Sequence, residues 1–239
     1  MKSKIERAVI LAAGFGERMK PVTLKTPKPL VKVNGKRMID SVIEALHQNN
    51  IFEIYVVVGY LKEQFYDLPN TYMGLTVIEN PLYAECNNIS SLYCARDHLE
   101  NALILDGDQI IYNPEILFTD FERSGYCAVR TKSPTNEWLL SVNSELSITS
   151  CSRTGGNDGW QLYSVSRWTS SGGLKLKKFL EYEFIERNNR QIYWDDVAMF
   201  CHREDFDLRI YPIEKNDIIE IDSFEELINI DSSYACMKG

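Results

Sequence analysis

Leu11-Ala12-Ala13-Gly14-Phe15-Gly16-Glu17-Arg18-Met19-Lys20-Pro21-Val22-Thr23-Leu24-Lys25-Thr26-Pro27-Lys28-Pro29-Leu30 is an apolar run that ends in a glycine turn and continues into spaced cations and prolines. Gly14 and Gly16 let backbone N–H groups approach phosphate oxygens closely, and Arg18 and Lys28 are the charge-assisted donors that such oxygens need. This is equipment for gripping a nucleoside triphosphate. A dinucleotide-binding turn also follows a first strand and also contains Gly-x-Gly. Its third glycine is missing here, because Glu17 and Arg18 fill that stretch, and such a turn has no use for prolines on both sides of a lysine. Pro27 and Pro29 instead predict a stiff, extended loop that holds Lys28 in place.

Working outward, residues 7–12 and 53–58 are β-branched, nearly continuous apolar runs of the kind buried in a parallel sheet. Between them Met38, Ile39, Val42, Ile43 and Leu46 recur at helical spacing, which predicts a strand–loop–helix–strand unit. Residues 75–79, 102–105, 126–131 and 208–211 read as further strands, and 90–99, 114–123, 175–186 and 224–230 as helices. The alternation predicts an α/β fold with a central, mostly parallel sheet and a ligand crevice at the carboxyl ends of its strands.

The chain has 239 residues and 44% hydrophobic content, with no linker-like tract, so residues 1–239 are expected to form a single domain. Six cysteines at 86, 94, 127, 151, 201 and 236 include no Cys-x-x-Cys pair and have only three histidines for company, which argues against zinc and iron–sulfur sites. The apolar stretch 8–13 is too short for a signal peptide, and nothing approaches the roughly twenty apolar residues of a membrane span. A cytoplasmic protein without disulfides and with no membrane span is expected. Residues 18–37 carry seven cations and no acid, so this stretch is +7 and the remainder −15 in a chain of net charge −8. Charge is concentrated where phosphates would sit; an acidic whole with one basic loop disfavours nucleic acid as a partner.

The second chemical feature is Leu103-Ile104-Leu105-Asp106-Gly107-Asp108-Gln109, two carboxylates at the end of an apolar strand. Alternation along a strand directs both to one face, and Gly107 lets a ligand come near. Asp106 can equally be a turn carboxylate, and Asp222, just before a helical pattern, can be an N-cap.

The N-terminal run, with its Leu-Ala-Ala-Gly-x-Gly-x-Arg-Met opening, Pro-x-Thr spacer and Pro-Lys-Pro-Leu close, resembles the signature of the nucleotidyltransferases that make sugar nucleotides and related activated metabolites. Residues 58–65, Tyr83 with Asn87-Asn88 and Ser91-Leu92-Tyr93, Thr135-Asn136-Glu137-Trp138, Tyr193-Trp194-Asp195 and Ile219-Glu220-Ile221-Asp222-Ser223 resemble, within that family, the bacterial CTP:phosphocholine cytidylyltransferases. The departures lie mainly in residues 141–190. The resemblance implies a Rossmann-like three-layer nucleotidyltransferase domain with a mixed, mostly parallel central sheet. It also implies a Mg²⁺ cofactor held by Asp108 and Asp222, oxygen ligands of the type this ion prefers. Leu11, Ala12, Ala13, Gly14, Gly16, Tyr83, Asn88, Ser91 and Asp106 would then bind the nucleotide, with Lys28 and Arg18 as the catalytic cations.

A quaternary ammonium donates no ordinary hydrogen bonds and is recognised by ring faces and carboxylates, each cation–π contact contributing about 0.5–2 kcal/mol. Trp138, Tyr193 and Trp194 beside Glu137, Asp195 and Asp196 supply both, and are the expected choline site. The expected reaction joins CTP and phosphocholine into CDP-choline and pyrophosphate by in-line attack, with no covalent enzyme intermediate. Phosphoethanolamine, 2-aminoethylphosphonate or a sugar 1-phosphate are the alternative acceptors. A catalytically silent nucleotide sensor is the alternative of another class, and the presence of Arg18, Lys28, Asp108 and Asp222 together argues against it. Oligomeric state is not legible in the sequence.

Overall fold

The computed structural model describes residues 2–237. Its central strand is β1 (Arg7–Ala12), buried at every position after the first. A strand covered on both faces needs apolar side chains in both directions, and β1 supplies them: Ala8, Ile10 and Ala12 enter one core cluster, Val9 and Leu11 the other. The first cluster receives Ile39, Val42, Ile43 and Leu46 of helix α1 (Met38–Gln48). The second receives Ile89 and Leu92 of α2 (Ile89–Cys94) and Leu176 and Leu180 of α3 (Ser170–Glu181). Helix, sheet and helix thus form three layers.

The sheet has nine strands: β1, β2 (Glu53–Val58), β3 (Leu75–Glu79), β4 (Ala102–Asp106), β5 (Gly125–Thr131), β6 (Leu139–Val142), β7 (Ile148–Ser152), β8 (Gly159–Trp168) and β9 (Arg209–Ile213). Their order is β7-β6-β8-β4-β1-β2-β3, with β5 on the other edge of β8 and β9 parallel to β5. The registers run β1, β2, β3, β4, β5, β6 and β9 one way and β7 and β8 the other, so the sheet is mixed and mostly parallel. Leu11 pairs with Asp106 and Ala12 with Val58, which brings the carboxyl ends of β4, β1 and β2 to one rim. The crevice of an open α/β sheet opens at such a rim.

Several expected elements differ. The stretch 114–123 is no helix: Asn113 accepts from the Glu115 N–H to cap a single 3₁₀ turn, Pro114–Leu117, and Asp120–Phe121 then pairs with Ser3–Lys4. Asn113 and Pro114 are favourable helix-start residues, but Phe118 leaves the helical region at φ −47° and ψ 145°, and the chain beyond it is taken up by the pairing with Ser3–Lys4. The expected helix 90–99 stops at Cys94 and continues as the 3₁₀ turn Arg96–His98. Helix α3 starts before 175, because the Thr169 hydroxyl accepts from the Gly172 N–H and fixes the N-terminus there. Residues 141–190, where the family resemblance is weakest, contain β7, β8 and α3. Among the described residues no helix is long and apolar enough to cross a membrane.

Candidate active site

The cleft at the rim grows directly out of β1. Gly16 has φ +65°, and a Cβ there would lie 2.8 Å from Thr23 Cγ2, so glycine is required both by conformation and by space. The left-handed turn starts the 3₁₀ turn Glu17–Met19 that carries Arg18, while Gly14 has open space around it. After Pro27, a second short turn, Lys28–Leu30, swings Lys28 back under the loop. From the opposite side Gly107 donates its N–H to the Leu11 carbonyl at 2.9 Å. A Cβ on Gly107 would come within 3.1 Å of Pro29 and 3.3 Å of Ala12, so the two loops approach each other closely at this glycine. Asp222 arrives last in the chain, next to the strand Ile218–Glu220 that pairs with Gln109–Ile111.

These approaches converge on one ammonium. Lys28 Nζ lies 2.5 Å from Asp108 Oδ2 and 2.7 Å from Asp222 Oδ1, and Arg18 reaches the same Asp222 oxygen at 2.9 Å. Lys28 is only 9% exposed. Burial alone would lower its pKa, but the charges of Asp108 and Asp222 outweigh it and hold the ammonium protonated above its ordinary range. Asp222 is not the cap of the following helix: Ser223 accepts from the Glu226 N–H, and Glu226 accepts from the backbone N–H groups of Asp222 and Ser223. Its carboxylate is therefore free to face the cleft.

Sequence reasoning missed Glu220. Among the described residues, Asp106, Asp108 and Glu220 form an acidic group whose oxygens lie within 4.8 Å of one another. Burial and the neighbouring Asp108 charge push Asp106 up to about 7, and burial with Asp108 and Asp106 lifts Glu220 well above the usual carboxylate range. The signal for Glu220 is the alternation Ile219-Glu220-Ile221-Asp222, which puts both acids on one side of an extended segment. Asp108 Oδ1 is buried without a hydrogen-bond partner, a vacancy in the bonding of a hard oxygen donor beside two further carboxylates. That donor set fits a divalent cation of the magnesium type.

Two cavities meet here. The first, about 310 Å³, is lined by Leu11, Ala12, Gly14, Gly16, Arg18, Lys28 and Asp108 among others. The second, about 180 Å³, is lined by Asn88, Asp106, Glu137, Trp138, Tyr193 and Asp195 among others, and the two share Arg18, Glu220 and Asp222. In the second cavity the Trp138 and Tyr193 rings stand edge to face, with centroids 5.8 Å apart. Asp195 is buried, and that burial, with the charge of Asp106, holds its carboxyl well above the usual range.

Other expected residues sit differently. The Trp194 ring is 1% exposed and packs with Tyr126 and Trp168 in the core, so it presents no face to a ligand. Tyr193, the extended residue that precedes the one-turn helix Trp194–Asp196, is exposed while Trp194 is buried, a difference that composition cannot reveal. Ser91 is buried, and its hydroxyl accepts from Asn80 rather than lining the cleft. Asn88 belongs to the second cavity, where its Oδ1 accepts from the Trp194 N–H at 2.9 Å. Ala13 gives its carbonyl to the Tyr60 N–H, Tyr83 packs against Phe15 and over Gly59, and neither Ala13 nor Tyr83 lines either cavity.

Comparison with known proteins agrees with this geometry. The family described as MobA-like NTP transferase domain matches residues 8–154. A 2-aminoethylphosphonate cytidylyltransferase of Lancefieldella rimae is 38% identical over 95% of this chain and 92% of its own. A choline-phosphate cytidylyltransferase of Streptococcus pneumoniae is 34% identical over 92% of this chain and 94% of its own. A solved structure of CTP:phosphocholine cytidylyltransferase from Streptococcus pneumoniae superposes with a TM-score of 0.87 at 32% identity, covering 96% of this chain and 99% of that one. The glycine loop and the Lys28–Asp108–Asp222 centre lie within a chain that these likenesses identify as a nucleotidyltransferase of the MobA-like family, within its bacterial cytidylyltransferase group.

Proposed function

We propose that the chain transfers the cytidylyl group of CTP to phosphocholine, giving CDP-choline and pyrophosphate. The observation that carries this reading is the pair of cavities sharing Arg18, Glu220 and Asp222: one is fit for a triphosphate, the other, with Trp138, Tyr193 and several carboxylates, for a small cation. CTP lies in the first, its phosphates along the Gly14–Gly16 loop, with Tyr83 at the base side. Phosphocholine lies in the second, its ammonium against Trp138 and Tyr193 between Glu137 and Asp195.

Phosphocholine is already largely dianionic at neutral pH, its second pKa being about 6, so no general base is needed. Its phosphate oxygen attacks the α-phosphorus in line; the new P–O bond forms as the α–β bond breaks, and pyrophosphate leaves with the electron pair. Catalysis is positioning and charge neutralisation. Lys28 carries its ammonium to the α-phosphate, where negative charge develops, and Arg18 meets the β and γ phosphates with the loop amides. Asp108, whose oxygens lie within 4.8 Å of those of Asp106 and Glu220, would hold Mg²⁺ together with Asp222 on the other side of Lys28, and the ion would supply further neutralisation of the triphosphate.

A second reading has its own support. With the Trp194 ring in the core, two rings rather than three remain beside Glu137, Asp195 and Asp106, and a carboxylate-rich, ring-poor site suits a primary amine. 2-Aminoethylphosphonate is such an amine, and it names the Lancefieldella rimae relative. A pyrophosphate-release panel tests both: four nucleotides against phosphocholine, phosphoethanolamine, 2-aminoethylphosphonate and a sugar 1-phosphate. Release chiefly with CTP and phosphocholine supports the proposal; a preference for 2-aminoethylphosphonate transfers it to the second reading.

A further inference from the structure

Arg153 lines neither cavity, yet it joins the two walls of the second. It stands in the turn between β7 and β8, and that turn is locked to the segment leading to Glu137 and Trp138. Thr135 and Gly156 exchange backbone hydrogen bonds, both of 3.0 Å. At Gly155 the backbone has φ +74°, and a Cβ would lie 1.8 Å from the Thr135 carbonyl oxygen, so the contact admits only glycine. The first wall and the Arg153 turn therefore behave as one body.

From that body Arg153 reaches the second wall. Its Nη2 lies 2.5 Å from Asp196 Oδ1, while Oδ2 of the same carboxylate accepts from the Tyr193 N–H at 2.9 Å. The Asp196 side chain is only 4% exposed and that of Arg153 is 47% exposed, so a half-exposed guanidinium reaches a buried carboxylate across the two walls. The guanidinium also stacks on Phe200 at 3.9 Å and stands 5.8 Å from Trp138. Trp138 in turn meets Phe200 and Tyr193 edge to face at 5.7 and 5.8 Å. One planar cation thus fixes where Tyr193 starts its turn and where the Trp138 ring stands. A planar fork does both; a point charge cannot.

We propose that Arg153 is a positioning residue that sets the gap between Trp138 and Tyr193, and so the size of the cationic head group that the acceptor cavity takes. This rests on the acceptor reading given above. Asp196 neutralises Arg153, which leaves Glu137 and Asp195 to the substrate.

The test compares full-length wild type with Arg153→Met, Arg153→Lys and the double variant Arg153→Met/Asp196→Asn, using CTP and Mg²⁺ with phosphocholine or phosphoethanolamine. Arg153→Met should raise the KM for phosphocholine about tenfold and shrink the ratio of kcat/KM between the two acceptors about fivefold, with the KM for CTP changed by less than about twofold. Arg153→Lys keeps the charge on Asp196 but not the planar stack, so it should restore most of the KM and little of the selectivity. The double variant leaves no unpaired buried charge and should fold even if Arg153→Met does not; it should show the same loss of selectivity. An unchanged acceptor ratio in either folded variant overturns the proposal, as does a parallel rise of both KM values. A wild type active with neither acceptor refutes the acceptor reading itself, and the proposal with it.

Discussion

Replacing Lys28 with Met tests the centre of the site, because it keeps the apolar stem and removes one charge. In the structure that charge lies 2.5 Å from Asp108 and 2.7 Å from Asp222, whose side chains are 19% and 21% exposed. Breaking a fully buried ion pair costs about 3–5 kcal/mol; partial access to water brings the expected loss of folding stability to about 1–3 kcal/mol. For a chain of this size that is a fall in Tm of roughly 2–12 °C. The two carboxylates left facing each other should bind Mg²⁺ more tightly than in wild type, so added MgCl₂ should raise the Tm of the variant by more than it raises that of the wild type. Turnover should move the other way. A preorganised donor aimed at developing charge contributes about 10²–10³ in rate, on the order of 3–4 kcal/mol, and Lys28→Met should lose that in kcat with little change in the KM for CTP. Steady-state pyrophosphate release and a thermal melt with and without Mg²⁺ read both effects. A folded variant with normal kcat and only weaker CTP binding would refute the transition-state role of Lys28.

Asp108→Asn and Asp222→Asn should each lower kcat by at least about 10²-fold without altering the circular dichroism spectrum; near-normal turnover in either folded variant removes that residue from the centre. Glu220→Gln should raise the Mg²⁺ concentration needed for half-maximal activity, read by metal titration, and an unchanged titration would place Glu220 outside the metal's surroundings. Trp194→Ala should cost about 3–5 kcal/mol of stability in a denaturant melt, because it empties core volume beside Tyr126 and Trp168. Trp138→Ala should instead raise the KM for the acceptor with a stability loss below about 1.5 kcal/mol, and a reversal of this contrast would contradict the assignment of the two rings.

The contrast between Trp138 and Trp194 marks the limit of what the sequence carries. Periodicity located β1, β2 and α1 closely, because a strand buried on both faces and an amphipathic helix leave patterns that no other element shares. It did not find β8, Gly159–Trp168, whose first six positions are half-buried and whose residues mix serine, glutamine and aromatics without clean alternation. The long strand is held by pairing on both edges, which is non-local. In the site, the meeting of Gly14, Gly16, Arg18 and Lys28 at one cavity was legible in their spacing, because the phosphate grip proposed for them calls for those residue types in that order. Asp108 was legible as a carboxylate at the end of an apolar strand, but its pairing with Asp222, 114 positions away in sequence, came only through resemblance. Glu220 and Arg153 act through register and through a turn contact, and neither leaves a composition signal.

The most direct test of the account offers the wild-type enzyme CTP, Mg²⁺ and equal concentrations of phosphocholine and 2-aminoethylphosphonate in one vessel, with products identified by mass spectrometry and pyrophosphate counted alongside. CDP-choline should form in a one-to-one ratio with pyrophosphate and exceed the competing product at least about tenfold, which corresponds to about 1.4 kcal/mol of discrimination at the transition state. An excess of the aminoethylphosphonate product, or no pyrophosphate at all, would contradict it.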